Sequence, residues 1–368
     1  MSISGKQITS TLTADGNLTV ALTDKDFSDP KGFEVLLQVE AAPINPSDLG
    51  LLLGAADLGN AEFLPGRIVA PVPEMGMRAM AARLGDRVAV GNEGAGIVIA
   101  AGEEPYAQSL IGKRVTCVAG SMYASHAIAD ARSCIPLPDG ISAEQGAGAF
   151  VNPLTALGFV ETMRAEGFAG IIHTAAASNL GQMLVKLCAE EGIPLVNIVR
   201  SAAQVDILKQ LGAQHIIDSS SPDFMAQLVA AISTTGAYLA FDAIGGGRMA
   251  NDLLTAMEQV ASTGADYSRY GSNELKKVYI YGMLDVSPTV LTRSYGFTWA
   301  CDGWLLLPFL AKVGMEGQAK LSMRVLSSLT TTFASAYKAK IGLEEMLTRD
   351  VALAYNAKAT GEKYLVTP

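Results

Sequence analysis

The 368-residue chain is 49% hydrophobic and 17% charged, with a formal net charge of -9 at pH 7. That balance excludes a disordered chain, and an acidic chain without a Lys/Arg cluster lacks the electrostatic footprint of a nucleic-acid binder. No run approaches the roughly 18 to 20 apolar residues of a membrane span, and the opening "MSISGKQITS" has neither a signal-peptide core nor an Arg-rich transit pattern, so a cytoplasmic protein of two ordinary domains is expected.

Up to about residue 150 the texture is that of a compact β domain. "FEVLLQVEAAPIN", "DRVAVGNEGAGIVIAAG" and "GKRVTCVAG" are Val-rich runs broken by glycine and proline. The stretch from Leu49 to Arg87 is interrupted by Gly and Pro and matches no element pattern; a loop of that length is either functional, as a lid or a wall of a substrate cleft, or disordered. "VNPLTALGFV" marks the expected domain boundary.

From about residue 169 to residue 284, apolar runs alternate with helical patterns, as in a parallel sheet with crossover helices. "AGIIHTA" reads as a strand. In "NLGQMLVKLCAEEG", Leu180, Met183, Leu184, Leu187 and Cys188 paint one helical face that Gly192 ends. "PLVNIVR" is the next strand, followed by a helix in "SAAQVDILKQLGA" with Ser201 at its N-cap and Gly212 at its end. "HIID" is the third strand, and "SSPDFMAQLVAAIS" a helix with Ser221 before Pro222 at its first turn. "AYLAFDAIGGG" is a strand ending in glycines, "RMANDLLTAM" a helix and "KKVYIYGML" a strand, while the tail "RDVALAYNAKATGEKYLVTP" ends in a strand-like run. The expected organisation is a β domain over residues 1–150, completed by about 320–368, around an α/β domain over 151–319.

Cys117, Cys134, Cys188 and Cys301 form no C-x-x-C pair, which points to free thiols rather than a disulfide framework or a structural zinc lobe. The motif that carries chemistry is "HTAAASNLGQML", where Ala176, Ser178 and Gly181 occupy the three positions of a G-x-G-x-x-G phosphate turn. Such a turn needs small residues, close backbone approach and a helix N-terminus whose dipole favours an anion. Ala176, Ala177 and Ser178 leave room for a phosphate, Ser178 or Asn179 caps the helix, and Gly181 permits tight packing; the plain alternative is an ordinary first strand and helix. Where an NAD site places an acid at the end of the second strand, this chain has Arg200 followed by Ser201, which favours the 2′-phosphate of NADPH.

"APINPSD", "GNEGAGIVIAAG", "VNPLTA", "AAASNLGQ", "NIVR", "LGAQHIID", "FDAIGGG" and "TGEKYLV", in that order, resemble the medium-chain dehydrogenase/reductase superfamily across nearly the whole chain. The resemblance is to its zinc-free branch of quinone oxidoreductases and 2-enoyl thioester reductases. It implies a GroES-like β domain interrupted by a Rossmann domain, NADPH as cofactor, and a homodimer joined along the Rossmann sheet edges. It also implies that Asn152 and Thr155 approach the nicotinamide, that Ser178, Asn179, Leu180 and Gly181 hold the pyrophosphate, and that Arg200 with Ser201 holds the 2′-phosphate. Ile244 and Gly245 would frame the adenosine, and Tyr281, Gly282, Met283 and Leu284 the nicotinamide.

No metal is expected. Gly91-Asn92-Glu93 replaces the G-H-E of zinc alcohol dehydrogenases, and Asn45 and Asn152 stand where those enzymes carry Cys; amides are poor zinc ligands. His126, His173 and His215 read as structural histidines. "NPSDLGLLLGAADLG" lacks the tyrosine that enoyl-thioester reductases carry after this motif, so the proton donor is open among Asn45, Tyr123, Tyr267, Tyr270 and water. Trp299 and Trp304 either wall a substrate pocket or sit in an interface. The expected activity is zinc-independent, NADPH-dependent hydride transfer to a quinone or conjugated carbonyl compound. The alternatives are 2-enoyl thioester reduction and a catalytically silent cofactor-binding protein.

Overall fold

The computed structural model describes residues 3–361 and 363–368; Met1, Ser2 and the Glu362 of the closing motif lie outside the described residues. Contacts divide the chain into two units, Met1–Val151 with Leu326–Pro368, and Asn152–Val325.

The first unit is built on antiparallel strands. Ile3–Leu12 and Asn17–Phe27 pair along their whole length and form the centre of a five-stranded sheet. The Leu49 to Arg87 stretch is no open loop: Glu62–Leu64 and Arg67–Pro71 extend this sheet, and Arg87–Ala89 pairs on its other side. Ile68 and Ala70 point inward beside Leu18 and Val20, a period-two alternation too short to stand out among the prolines and glycines around it. "DRVAVGNEGAGIVIAAG" is two strands on different sheets, Arg87–Ala89 and Glu93–Ala101. The second sheet centres on Glu34–Pro43, which pairs with Glu93–Ala101, His126–Asp130 and the C-terminal Tyr364–Val366. Its inward residues, among them Val35, Leu37 and Val39, join Ile8 and Leu12 in one core.

The second unit is a six-stranded parallel sheet. Numbered in chain order, Ile171–His173, Leu195–Val199, His215–Asp218, Leu239–Asp242, Lys276–Ile280 and Trp299–Gly303 lie in the order 3-2-1-4-5-6, and every pairing is parallel. Helices cover a sheet of this kind on both faces, which is why Leu195–Val199 is buried at all five positions instead of alternating. The helix Asn179–Glu191 buries the face set by Leu180, Met183, Leu184, Leu187 and Cys188 and ends at Gly192 in the left-handed conformation.

Several local expectations are corrected. The helix expected to begin at Ser221–Pro222 starts at Phe224, because Ser221 closes a turn that accepts the Phe224 N–H. "AYLAFDAIGGG" stops being a sheet strand at Asp242, and Gly245–Gly247 pairs separately with Asp285–Thr289. Trp304 is buried against Gly158 and Phe159 and donates to Thr162 Oγ1 at 3.1 Å, and Trp299 packs edge-on against the buried Tyr295.

A buried ion pair fixes the amino-terminal end of the fifth strand. Lys276 is fully buried, and its ammonium donates to Glu258 Oε2 at 2.6 Å, Ser272 Oγ at 2.8 Å and the Glu274 carbonyl at 2.8 Å. Burial opposes ionisation of Glu258, but hydrogen bonds from Lys276, Ser272 and Ser262 outweigh it and hold the carboxyl at about 2. A carboxyl depressed from an unfolded value of roughly 4.3 contributes stability that is complete above about pH 5 and is lost as pH falls toward 2. Glu258→Gln is therefore expected to cost about 3 kcal/mol at neutral pH by stranding a buried ammonium. Its melting temperature should also depend less on pH between 5 and 2 than that of the wild type; thermal melts across that range test both.

Candidate functional site

In a sheet of order 3-2-1-4-5-6, strand order reverses between the first and fourth strands, and their carboxyl-end turns diverge to leave a crevice. The turn after the first strand holds the phosphate-type motif. Ala175 has φ of 52°, a left-handed conformation that costs a non-glycine residue about 1 to 2 kcal/mol. Ser178 caps the helix Asn179–Glu191, its Oγ accepting from the Gly181 N–H at 3.1 Å. A Cβ on Gly181 would stand 2.1 Å from the Ala176 carbonyl oxygen, so no other residue fits there. The methyls of Ala176 and Ala177 are buried inside the unit, which leaves backbone and Ser178 to line the turn.

Arg200 ends the neighbouring second strand, so it stands at the same carboxyl end of the sheet, and its side chain is exposed. Its N–H is held by Gln204 Oε1 at 3.0 Å, while Ser201 caps the next helix. After the fourth strand, Ile244 is half-buried and Gly245 is left-handed, with φ of 79°. After the fifth, the Tyr281 side chain turns inward: its hydroxyl meets His173 Nε2 at 2.7 Å and its ring packs edge-on against Phe159. Burial pushes His173 down to about 3, so the imidazole is neutral. Gly282 is half-buried, and Met283 and Leu284 are exposed. Asn152 is half-buried, and Thr155 lies buried inside the helix Val151–Ala165.

In the first unit, both donor candidates are committed to structure. Asn45 is 1% exposed, and its Nδ2 donates to Glu93 Oε1 at 2.7 Å. Tyr123 is wholly buried, and its hydroxyl donates to the Pro43 carbonyl at 3.1 Å. The remaining Glu93 oxygen accepts the Phe150 and Val151 N–H groups at 3.0 and 2.9 Å. Asp48 accepts the Asn45 and Asn92 N–H groups at 2.8 and 2.7 Å, and burial raises it to about 6. Lys363 shares their field; burial lowers it to about 8 against the pull of Glu93 and Asp48, and among the described residues its ammonium meets no hydrogen-bond partner. Sequence reading missed this cluster because nothing local links residues 48, 93 and 363. Tyr267 and Tyr270 precede the fifth strand, at the opposite end of the sheet from the crevice. Amides at Asn45, Asn92 and Asn152 leave no thiolate or imidazole for zinc, and the described residues hold no group of three His, Cys, Asp or Glu able to bind a metal.

A glycine-tightened turn at the reversal point of a doubly wound sheet stands where open α/β sheets bind ligands, and the chain's other unit is built of antiparallel strands. Residues 31–139 match the family model of the alcohol dehydrogenase GroES-like domain. The human mitochondrial enoyl-[acyl-carrier-protein] reductase is 28% identical over 204 residues, 54% of this chain and 48% of that protein. A quinone oxidoreductase of Pseudomonas aeruginosa is 28% identical over 160 residues, 42% of this chain and 49% of that protein. The chain thus spans about half the length of these curated relatives. A Mesorhizobium loti structure put forward as an NADPH:quinone reductase superposes with a TM-score of 0.77 at 26% identity, covering all of both chains. In its GroES-like domain and its quinone oxidoreductase and enoyl reductase neighbours, the chain resembles the zinc-free branch of the medium-chain dehydrogenase/reductase superfamily.

Gly181→Ala drives a methyl into the Ala176 carbonyl. It is expected to destabilise the protein by about 2 to 3 kcal/mol, the upper range for overpacking, because backbone must move; a melting temperature equal to that of the wild type would contradict the geometry.

Proposed function

We propose that this protein is a zinc-independent, NADPH-dependent reductase that delivers hydride to a quinone or a conjugated carbonyl compound. The observation that carries the proposal is the turn Ala175–Gly181: a strained residue and a glycine with no room for a side chain bring backbone close at the crevice where nucleotides bind in such sheets. NADPH is the cofactor in this reading, and when bound it supplies the hydride. The helix N-terminus at Ser178, Asn179, Leu180 and Gly181 attracts the pyrophosphate through its dipole and the close approach of its backbone. The exposed guanidinium of Arg200, with Ser201 beside it, holds the 2′-phosphate. Ile244 and Gly245 flank the adenosine. Met283 and Leu284 with the backbone of Tyr281 and Gly282 face the nicotinamide, as do Asn152 and Thr155.

The acceptor follows from what the residues omit. Tyr123 is buried and donates its hydroxyl hydrogen bond to a carbonyl inside its unit, and Tyr267 and Tyr270 lie at the wrong end of the sheet. Water then protonates the product, which suits a quinone or a simple enone better than an enoyl thioester whose reduction relies on a placed tyrosine. The reading includes a cytoplasmic homodimer joined along the edge strand Trp299–Gly303, beside which Leu305 and Leu307 are 63% and 61% exposed.

Following NADPH absorbance with quinones, enones and enoyl thioesters should give turnover with the first two. Turnover with enoyl thioesters alone would favour the alternative reading, and binding without turnover a silent one. Arg200→Ala should weaken NADPH by about 1.5 to 3 kcal/mol and leave NADH nearly unchanged; equal affinities before and after would refute its role. Light scattering should return about twice the 38.4 kDa of one chain.

A further inference from the structure

Beneath the proposed nucleotide crevice lies a carboxylate whose bonds join its two walls. Asp242, the last residue of the fourth strand, is fully buried. Its Oδ1 accepts the hydroxyl of the equally buried Thr174 at 2.7 Å and the Ile244 N–H at 2.9 Å, and its Oδ2 accepts the Gly245 N–H at 3.1 Å. The Thr174 hydroxyl oxygen in turn accepts the Ala243 N–H at 2.7 Å. Thr174 directly precedes the left-handed Ala175, so one end of this clasp is the first residue of the phosphate-type turn. The other end organises the turn after the fourth strand, whose carbonyls at Ala243 and Ile244 accept the Leu284 and Asp285 N–H groups. Two turns distant in sequence are thus tied by one side-chain pair 68 residues apart, alongside the bond from the Thr174 N–H to the Phe241 carbonyl.

A helix-capping or core-filling role does not need this chemistry. Burying a carboxylate is costly, and burial indeed pushes Asp242 up, with three donated hydrogen bonds pulling back. An apolar residue would fill the same space without that cost. What only an acceptor with two oxygens achieves is to gather N–H groups and a hydroxyl from both turns at one point.

We propose that Thr174 and Asp242 are positioning residues for the nucleotide: their hydrogen-bonded clasp fixes the spacing between the turns after the first and fourth strands, and through it the affinity for the dinucleotide. The inference rests on the nucleotide-binding reading above. Because the clasp supports the turns and not the 2′-phosphate, it acts on NADPH and NADH alike, unlike Arg200.

The test uses the full-length protein and nucleotide titration by intrinsic fluorescence. Thr174→Val keeps the shape but removes two hydrogen bonds, and is expected to weaken both NADPH and NADH about tenfold. Thr174→Ser keeps the hydroxyl and should restore affinity to within about twofold of the wild type. Asp242→Asn replaces an acceptor with a donor facing other donors and should resemble Thr174→Val; combining the two should weaken binding little further, since both break one clasp. Should Asp242→Asn fail to fold, the two Thr174 variants decide. Wild-type affinity in Thr174→Val, or equal loss in Thr174→Ser and Thr174→Val, overturns the inference. A wild-type protein that binds neither nucleotide overturns the underlying reading instead.

Discussion

The contact on which the second unit depends is the one between the Gly181 backbone and the Ala176 carbonyl. A helix that follows a parallel strand must fold back over the sheet within a few residues, and here the approach leaves no room for even a methyl group. That closeness sets the strain at Ala175, the cap at Ser178 and the direction in which the helix N-terminus points. Everything proposed about nucleotide binding inherits its geometry from this turn.

Around it, polar groups are arranged by what burial permits. His173 is neutral because it is enclosed, so it can stack under Tyr281 and share a hydrogen bond without bringing a charge beneath the turn. Asp242 stays buried because three donors converge on it. In the first unit, Glu93 and Asp48 are offset by Lys363 and by backbone N–H groups, an arrangement that occupies the side chains a metal would otherwise draw on.

The absence of a tyrosine after "NPSD" has a structural counterpart. That segment forms the short helix Pro46–Leu52, whose Leu49 and Leu52 are buried in the first unit's core. Asp48 binds the backbone at its start, so the helix is fixed as a packing element.

Local rules were enough for much of the chain. The α/β class, the strands and helices from Ile171 to Asp218, the caps at Ser178 and Ser201 and the stop at Gly192 follow from periodicity and turn chemistry acting within a few residues. The Leu49 to Arg87 segment defeated the same rules because its strands are three to five residues long and are specified by pairing with Asn17–Phe27. The orientation of Tyr281, the commitment of Asn45 and Tyr123 to the interior, and the meeting of Thr174 with Asp242 were decided only in three dimensions. A sequence states which groups can donate and accept; which of them meet across dozens of residues depends on the order in which strands assemble, and that order is a property of the folded chain.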